Sequence, residues 1–537
     1  MNIDKNKNIR GDIVESTTFF FSNIDSDFIE KEKFACLEDF SEENEQQIYI
    51  ISRPLSEKKY DYTVNKVLIL LSPGYKILFV NLGLSEAEFN EIYLDFIEDL
   101  GHIADKYNYT EIISRPRYWS QFILKVNSRE IFFEGISSKE NLERLFEENI
   151  ISDQEEQFKE IEALIKAKRT VKLLITLLIG SINSAEKLGK EPPSSILQKI
   201  KKNIILFDGD QTRFIFREKY EDKIIKLQGL AGTGKTELLL HRLKEIYTTE
   251  KNSKIILTCQ SKTLANILKT RVTEFFNFMR VEEQIQWEER LWVMHSWGST
   301  RHTYNLGTYA LLCREYQLPF YSYNDCSFAT ACEKTLKYIK ESAIEYEPIF
   351  DYILVDEGQD FTPAFIELCA MFTKEKVFVA GDIFQDIFGI QNMESEPHYL
   401  LNKCYRTDSR TLMFSHALGL GWFEDKSLRF LEDDEWHSCG YFYEDKGNSY
   451  VIKREPVKRF DEIVDIKDIP SIDILAYSGD DSREIILDTI EEIIEKYDDV
   501  EASDIVIVYP NSHLRYRKID ELELAIYKRF NLKSNLL

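Results

Sequence analysis

The chain is 537 residues long, enough for roughly three or four domains rather than one compact unit. Its composition, 43% apolar and 30% charged, is that of a soluble globular protein. With 68 Lys and Arg against 93 Asp and Glu, the formal charge of −25 excludes a basic coat, so any nucleic-acid site must be a local basic or aromatic groove.

Residues 1–150 read as a small α/β accessory module. Val67–Leu71 and Lys76–Val80 are strand-length apolar runs, and Ser72-Pro73-Gly74-Tyr75 between them is a turn signal, so the spacing predicts a hairpin. Leu84–Tyr107 has helical spacing. Residues 151–203 read as a helical linker region, with Glu191-Pro192-Pro193-Ser194-Ser195 as its break. Val171–Ile182 is the longest apolar run, but Lys172 interrupts it and it falls short of the ~18 residues a membrane span needs. The polar start Met1–Lys5 lacks a signal-peptide core. The eight cysteines are scattered without a C-x-x-C pair, which argues against a disulfide scaffold or a zinc ribbon. Reduced thiols, a cytoplasmic location and no membrane contact are the expectation.

From about 204 to 400 apolar strand signals alternate with helical segments: Ile224–Gln228, Ile255–Thr258, Ile353–Asp356 and Val377–Ala380. This alternation predicts a parallel sheet with helices on both faces. Residues 401–537 read as the start of a second such domain, with a β-leaning insertion over about 421–470. Strands are expected at Ile472–Tyr477 and Asp504–Tyr509, around a helix over 483–496.

Gly229-Leu230-Ala231-Gly232-Thr233-Gly234-Lys235-Thr236 fits G-x-x-x-x-G-K-[ST] in full, between a strand and a helix. Such a loop turns backbone N–H groups around a β-phosphate, its Lys neutralises the β- and γ-phosphates, and its Thr places a hydroxyl on Mg²⁺. The following helix aims its positive end at the anion. ATP and Mg²⁺ are therefore the expected cofactors. Asp356 and Glu357 follow an apolar strand, where Asp356 would hold Mg²⁺ through water and Glu357 would deprotonate the attacking water. Asp360 reads as a solvated loop residue.

These residues carry a resemblance. Asp356-Glu357-Gly358-Gln359-Asp360 resembles the second motif of superfamily 1, UvrD/Rep-like helicases, and further motifs follow in that family's order. Asp208-Gly209-Asp210-Gln211 resembles the Q motif, which implies that Gln211 reads adenine. Ile255–Arg271 resembles motif Ia, and Val293-Met294-His295-Ser296-Trp297 resembles the T-x-H-S-F segment. Gly381-Asp382-Ile383-Phe384-Gln385 matches G-D-x-x-Q of motif III, implying that Gln385 senses the γ-phosphate. Cys404-Tyr405-Arg406-Thr407 resembles motif IV, implying that Tyr405 stacks on adenine and Arg406 touches the γ-phosphate. Asp504–Val508 resembles a strand of the second RecA-like domain. The implied fold is a RecA-like α/β P-loop domain followed by an incomplete second one. The implied activity is ATP hydrolysis coupled to single-stranded or partly duplex DNA, with Ser261, Lys262, His295, Trp297 and Phe388 along the strand. Core packing is the ordinary alternative for Trp297, Phe388 and Tyr405.

The sequence also departs from the pattern. Glu237 stands where the family has an Arg against adenine, Cys259 where it has a base-stacking Phe, and Phe388 and Ile390 where it has Tyr and Trp. Base–aromatic stacking contributes roughly 1–3 kcal/mol per base, so the grip on single strands should be weak. Motifs V and VI do not appear before Leu537. A fragment of a longer protein, a partner that supplies the missing half, and a slowly hydrolysing nucleotide switch that gates a partner all remain open. An N-terminal nuclease would need E-x-K on the strand after Asp61, where Asn81-Leu82-Gly83 stand instead. A degenerate nuclease-like fold or a partner-binding module is the expectation there. Arg115-Pro116-Arg117-Tyr118-Trp119 reads as an exposed turn over a buried Trp, or as a nucleic-acid contact, and Lys166–Arg169 as a solvated helix face.

Overall fold

The computed structural model describes residues 18–24, 31–57, 60, 66–127, 139–155, 158–300, 306–342, 344, 346–388, 397–401, 404, 407–426, 431, 433–446, 450–454, 470–476, 482–508 and 515–533. Two sheets organise the molecule. The first holds β1 (Phe20–Ser22), β2 (Ile48–Ile51), β3 (Val67–Leu71), β4 (Ile77–Asn81) and β5 (Ile123–Asn127) in chain order. The expected hairpin is β3–β4, paired Leu70 to Leu78 and Val67 to Asn81. The expected helix runs Glu86–Lys106, started by a Ser85/Glu88 capping box, and returns the chain to β5, which pairs parallel to β4.

The second sheet is all parallel, in the order β11-β6-β10-β9-β7-β8: β6 (Ile224–Gly229), β7 (Ile255–Cys259), β8 (Leu291–His295), β9 (Phe350–Val355), β10 (Thr373–Asp382) and β11 (Tyr399–Leu401). Side chains alternate between its two faces. Leu257, Leu354 and Phe378 pack under helices Lys235–Thr249 and Lys262–Phe278. Ile256, Ile353, Val377 and Val379 pack under Phe328–Ser342 and Pro363–Met371. Both faces are covered, so these strands read as near-continuous apolar runs, and each fully buried Leu, Ile or Val contributes roughly 1.5–3 kcal/mol. This is the expected α/β fold, a RecA-like P-loop sheet with helices on both faces.

The two sheets share one apolar core, which runs from Phe21 and Phe79 to Leu257 and Tyr399. Beside this core, helix Gly209–Phe216 is tied to the first sheet by polar bonds: Gly209 N–H donates to Thr18 O at 2.8 Å, and Arg213 donates to Phe20 O at 2.6 Å. The apolar run near 171–182 is helix Ile161–Ile179, buried in this core. Among the described residues no helix is long and apolar enough to cross a membrane. All eight cysteines are free thiols.

Trp119 is fully buried while Arg115 and Arg117 are exposed, so that cluster is a surface turn over a core Trp. Arg169 departs from the solvated-face expectation: its guanidinium caps the carbonyls of Leu188, Gly189 and Lys190. Asp61 lies outside the described residues, and Asn81 closes a turn by accepting from Gly83 and Leu84 N–H.

Beyond β11 the chain forms smaller units. A cluster of Cys404, Leu412, Leu420, Trp436 and Tyr441 packs with the hairpin β12 (Tyr441–Asp445) and β13 (Tyr450–Arg454). The expected helix is Arg483–Lys496, and it packs on helix Arg515–Phe530. The strands expected at 472–477 and 504–509 do not form among the described residues. Among the described residues no neighbouring strand takes their backbone groups, and Ile474, Val506 and Val508 are more than 60% exposed. Asp504 instead caps Glu501 N–H and pairs with Lys201 at 2.6 Å.

Candidate nucleotide site

The sheet order determines what meets at its C-terminal edge. β10 lies between β6 and β9, in register Asp382 to Gly229 and Val379 to Val355. The phosphate loop after β6, Asp382 at the end of β10 and Asp356 after β9 are therefore neighbours, in the crevice where parallel α/β sheets hold ligands.

Gly229 ends β6 where no side chain fits: a Cβ there would lie 2.7 Å from Leu401 Cβ and 2.7 Å from Thr233 Oγ1. Gly232 (φ 81°) and Gly234 (φ 94°) take left-handed backbone that only glycine adopts freely. Gly234 begins helix Lys235–Thr249, so the helix opens directly on the loop, with Ala231 and Gly234 exposed and Thr233 buried. Lys235 is buried and folds back over the loop. Its Nζ donates to Gly229 O at 2.9 Å and Leu230 O at 3.0 Å, and stands 3.5 Å from Asp382 Oδ2. The site thus supplies its own acceptors to a cation placed for phosphate.

Thr236 Oγ1 donates to the Asp356 carboxylate at 3.1–3.2 Å. Asp356 is 2% exposed, and burial, helped by the adjacent Glu357 charge, pushes its carboxyl up to about 6. One hydroxyl and one buried carboxylate short of positive charge fit Mg²⁺ carried on phosphate oxygens, which takes one or two protein ligands and keeps waters. Glu357 sits at φ 54°, a strained value for a residue with a side chain, costing on the order of 1 kcal/mol. That backbone ends β9 and turns into the 3₁₀ segment Gly358–Asp360. Burial and the Glu357 charge raise Asp360 above the usual carboxylate range, although its side chain is exposed as expected.

Gln359 links the two acidic motifs. Its Nε2 donates to Glu357 Oε2 at 2.8 Å and to Gln385 Oε1 at 3.3 Å, and its Oε1 accepts Asp382 N–H at 2.8 Å. Asp382 in turn caps Phe384 and Gln385 N–H. Sequence reasoning quoted Gln359 and Asp382 inside their motifs but gave neither a role; the signal was a polar residue two places after the acidic pair.

The remaining sequence-predicted residues divide. Gln211 is buried as the third residue of helix Gly209–Phe216, where its Oε1 accepts Asp208 N–H and its N–H donates to Asp208 Oδ1. Its side chain therefore closes a capping box, and its amide oxygen already has a partner. Glu237 pairs with Arg271 of helix Lys262–Phe278 at 2.8 Å. Ser261 caps that helix through Leu264 N–H, and Lys262 is exposed beside it. His295 ends β8 half-buried; burial and then the Lys262 charge lower its pKa, so it is neutral at pH 7. Trp297 is committed to packing: its indole donates to Tyr321 O at 3.0 Å and its ring meets Phe328. Cys259 is buried, its thiol pushed up to about 12. Phe388 lies in the last turn of helix Ile383–Phe388. Tyr405 and Arg406 lie outside the described residues. Cys404 before them donates its thiol to Ala231 O of the phosphate loop at 3.3 Å.

A protein-family model described as an AAA domain matches residues 211–390, about a third of the chain. No curated protein matches the chain. Loop, acidic strand end and family match agree that residues 211–390 form a P-loop nucleotide-binding domain of ATPase type.

Proposed function

We propose that the chain is an ATP-hydrolysing, superfamily 1 helicase-like protein of the UvrD/Rep type, acting on single-stranded or partly duplex DNA. The observation that carries this reading is the convergence of Lys235 and Thr236, Asp356 and Glu357, and Gln385 on one edge of the sheet. There Gln359 ties the acidic motif to G-D-x-x-Q. A small-molecule kinase has no need of that second element.

Bound Mg²⁺ would supply charge neutralisation between the phosphate oxygens. Lys235 exchanges its hold on Gly229 O and Leu230 O for phosphate. Thr236 and Asp356 would hold that metal. Glu357 takes a proton from the water that attacks the γ-phosphorus, and the bond from that phosphorus to the bridging oxygen breaks, releasing ADP and phosphate. The Gln385 amide, one helical turn from Asp382, answers the loss of the γ-phosphate. Arg406 and Tyr405 fit the roles of γ-phosphate and adenine contacts by resemblance. Ser261 and Lys262, just after β7, and His295, at the end of the paired β8, fit contacts to the strand, and Phe388 fits one by resemblance.

A second reading, a slowly turning regulatory ATPase that gates a partner protein, draws on Cys259 and on the committed indole of Trp297. Both leave fewer faces for base stacking. ATPase assays with and without single-stranded oligonucleotide separate the two. The motor reading expects stimulation that vanishes in Lys235→Ala, and an unstimulated, slow activity refutes it.

A further inference from the structure

We propose that Gln359 is a positioning residue for hydrolysis, holding the Glu357 carboxylate away from attack until Gln385 is drawn to the γ-phosphate. The inference rests on the ATPase reading above.

The orientation of its amide follows from its partners. Asp382 N–H can only donate, so the atom 2.8 Å from it must be the Gln359 oxygen. The NH₂ end then faces Glu357 Oε2 at 2.8 Å and Gln385 Oε1 at 3.3 Å, one hydrogen for each. The flipped amide would set NH₂ against N–H and oxygen against a carboxylate, two repulsions in place of two bonds. Glycines bring the parts this close. A Cβ at Gly358 would lie 2.6 Å from Val379 Cγ1, so the turn carrying Gln359 lies flush on β10, and one at Gly381 would stand 3.5 Å from Gln359 Oε1.

The longer of the two NH₂ bonds goes to Gln385, whose side chain is exposed. It is the weaker bond and the one a phosphate can compete for. When Gln385 turns to an anion, the Gln359 amide loses one of its three partners, and its grip on Glu357 is no longer fixed from both sides. Glu357 then leaves its parked position for the attacking water. Loss of the γ-phosphate restores the bond and parks the base again. No separate signal is needed between the residue that senses the phosphate and the residue that activates water.

Gln359→Glu and Gln359→Ala test this beside wild type, Gln385→Ala and the double variant Gln359→Ala/Gln385→Ala. The Glu variant keeps the acceptor for Asp382 N–H, and so the local fold, but removes the donors to Glu357 and Gln385. Both single Gln359 variants free Glu357 from its parked position and are expected to raise kcat roughly threefold or more, with KM for ATP and affinity for a fluorescent ATP analogue within about threefold. The double variant should turn over no faster than Gln359→Ala alone, because Gln385 acts on Glu357 only through Gln359. A kcat at or below that of wild type in both Gln359 variants would overturn the proposal while wild-type hydrolysis leaves the ATPase reading standing. If wild type itself hydrolyses no ATP, both fall.

Discussion

Replacing Asp356 with Asn should stabilise the nucleotide-free protein while removing its metal ligand. Asp356 is 2% exposed and its partners are few: the Thr236 hydroxyl at 3.1–3.2 Å and the neighbouring backbone, with Lys235 drawn instead to Gly229 O, Leu230 O and Asp382. Burial raises its carboxyl to about 6, against about 3.9 for an unfolded Asp. The folded state therefore binds this proton more tightly than the unfolded state. Its contribution to stability is fully present below about pH 4 and is lost as pH rises through 6. That difference corresponds to about 3 kcal/mol at pH 7.5. Asparagine has the same size and no charge, so Asp356→Asn should match wild type near pH 4. It should exceed wild type by up to about 3 kcal/mol at pH 7.5. Urea denaturation followed across this pH range measures the gap. Subtracting the two proteins cancels the other carboxylates. Mg²⁺ with ADP should narrow the gap by stabilising wild type alone. A gap that does not change with pH, or an Asn variant less stable than wild type at pH 7.5, would refute the electrostatic reasoning.

Other outcomes follow from single contacts. Gly229→Ala forces a methyl to 2.7 Å from Leu401 Cβ and should cost roughly 1–3 kcal/mol in urea unfolding, whatever the nucleotide state. Asp208→Ala removes only the capping side of its pair and should lower stability by about 1 kcal/mol with little change in KM for ATP; Gln211→Ala should do both, lowering stability and raising KM. Trp297→Phe leaves Tyr321 O without its indole donor and should cost about 1 kcal/mol, with strand stimulation of the ATPase unchanged because that ring is packed on Phe328.

The legible parts of this molecule are those whose signal is local. The phosphate loop is contiguous and needs glycine at Gly229, Gly232 and Gly234 for reasons of space and backbone angle, so eight residues announce it. The strands β7, β9 and the second half of β10 are buried on both faces and appear as apolar runs. The tail misled because Ile472–Tyr477 and Asp504–Tyr509 have strand composition, yet a strand exists only when a neighbour accepts its hydrogen bonds, and no pattern within a segment contains that information. Trp297 shows the same limit for side chains: its ring suits a base, but Tyr321 and Phe328 reach it first. Gln359 is the opposite case, a residue whose role arises only when β9 and β10 lie side by side.

The central claim is that Glu357 serves as the base of an ATP-hydrolysing site built on Lys235, Thr236 and Asp356. Steady-state phosphate release by purified wild type and Glu357→Gln, each with Mg²⁺ and with and without single-stranded DNA, tests it most directly. The account predicts DNA-stimulated release by wild type and a fall of at least a hundredfold in the Gln variant, with ATP still bound. Equal release by the two proteins would contradict it.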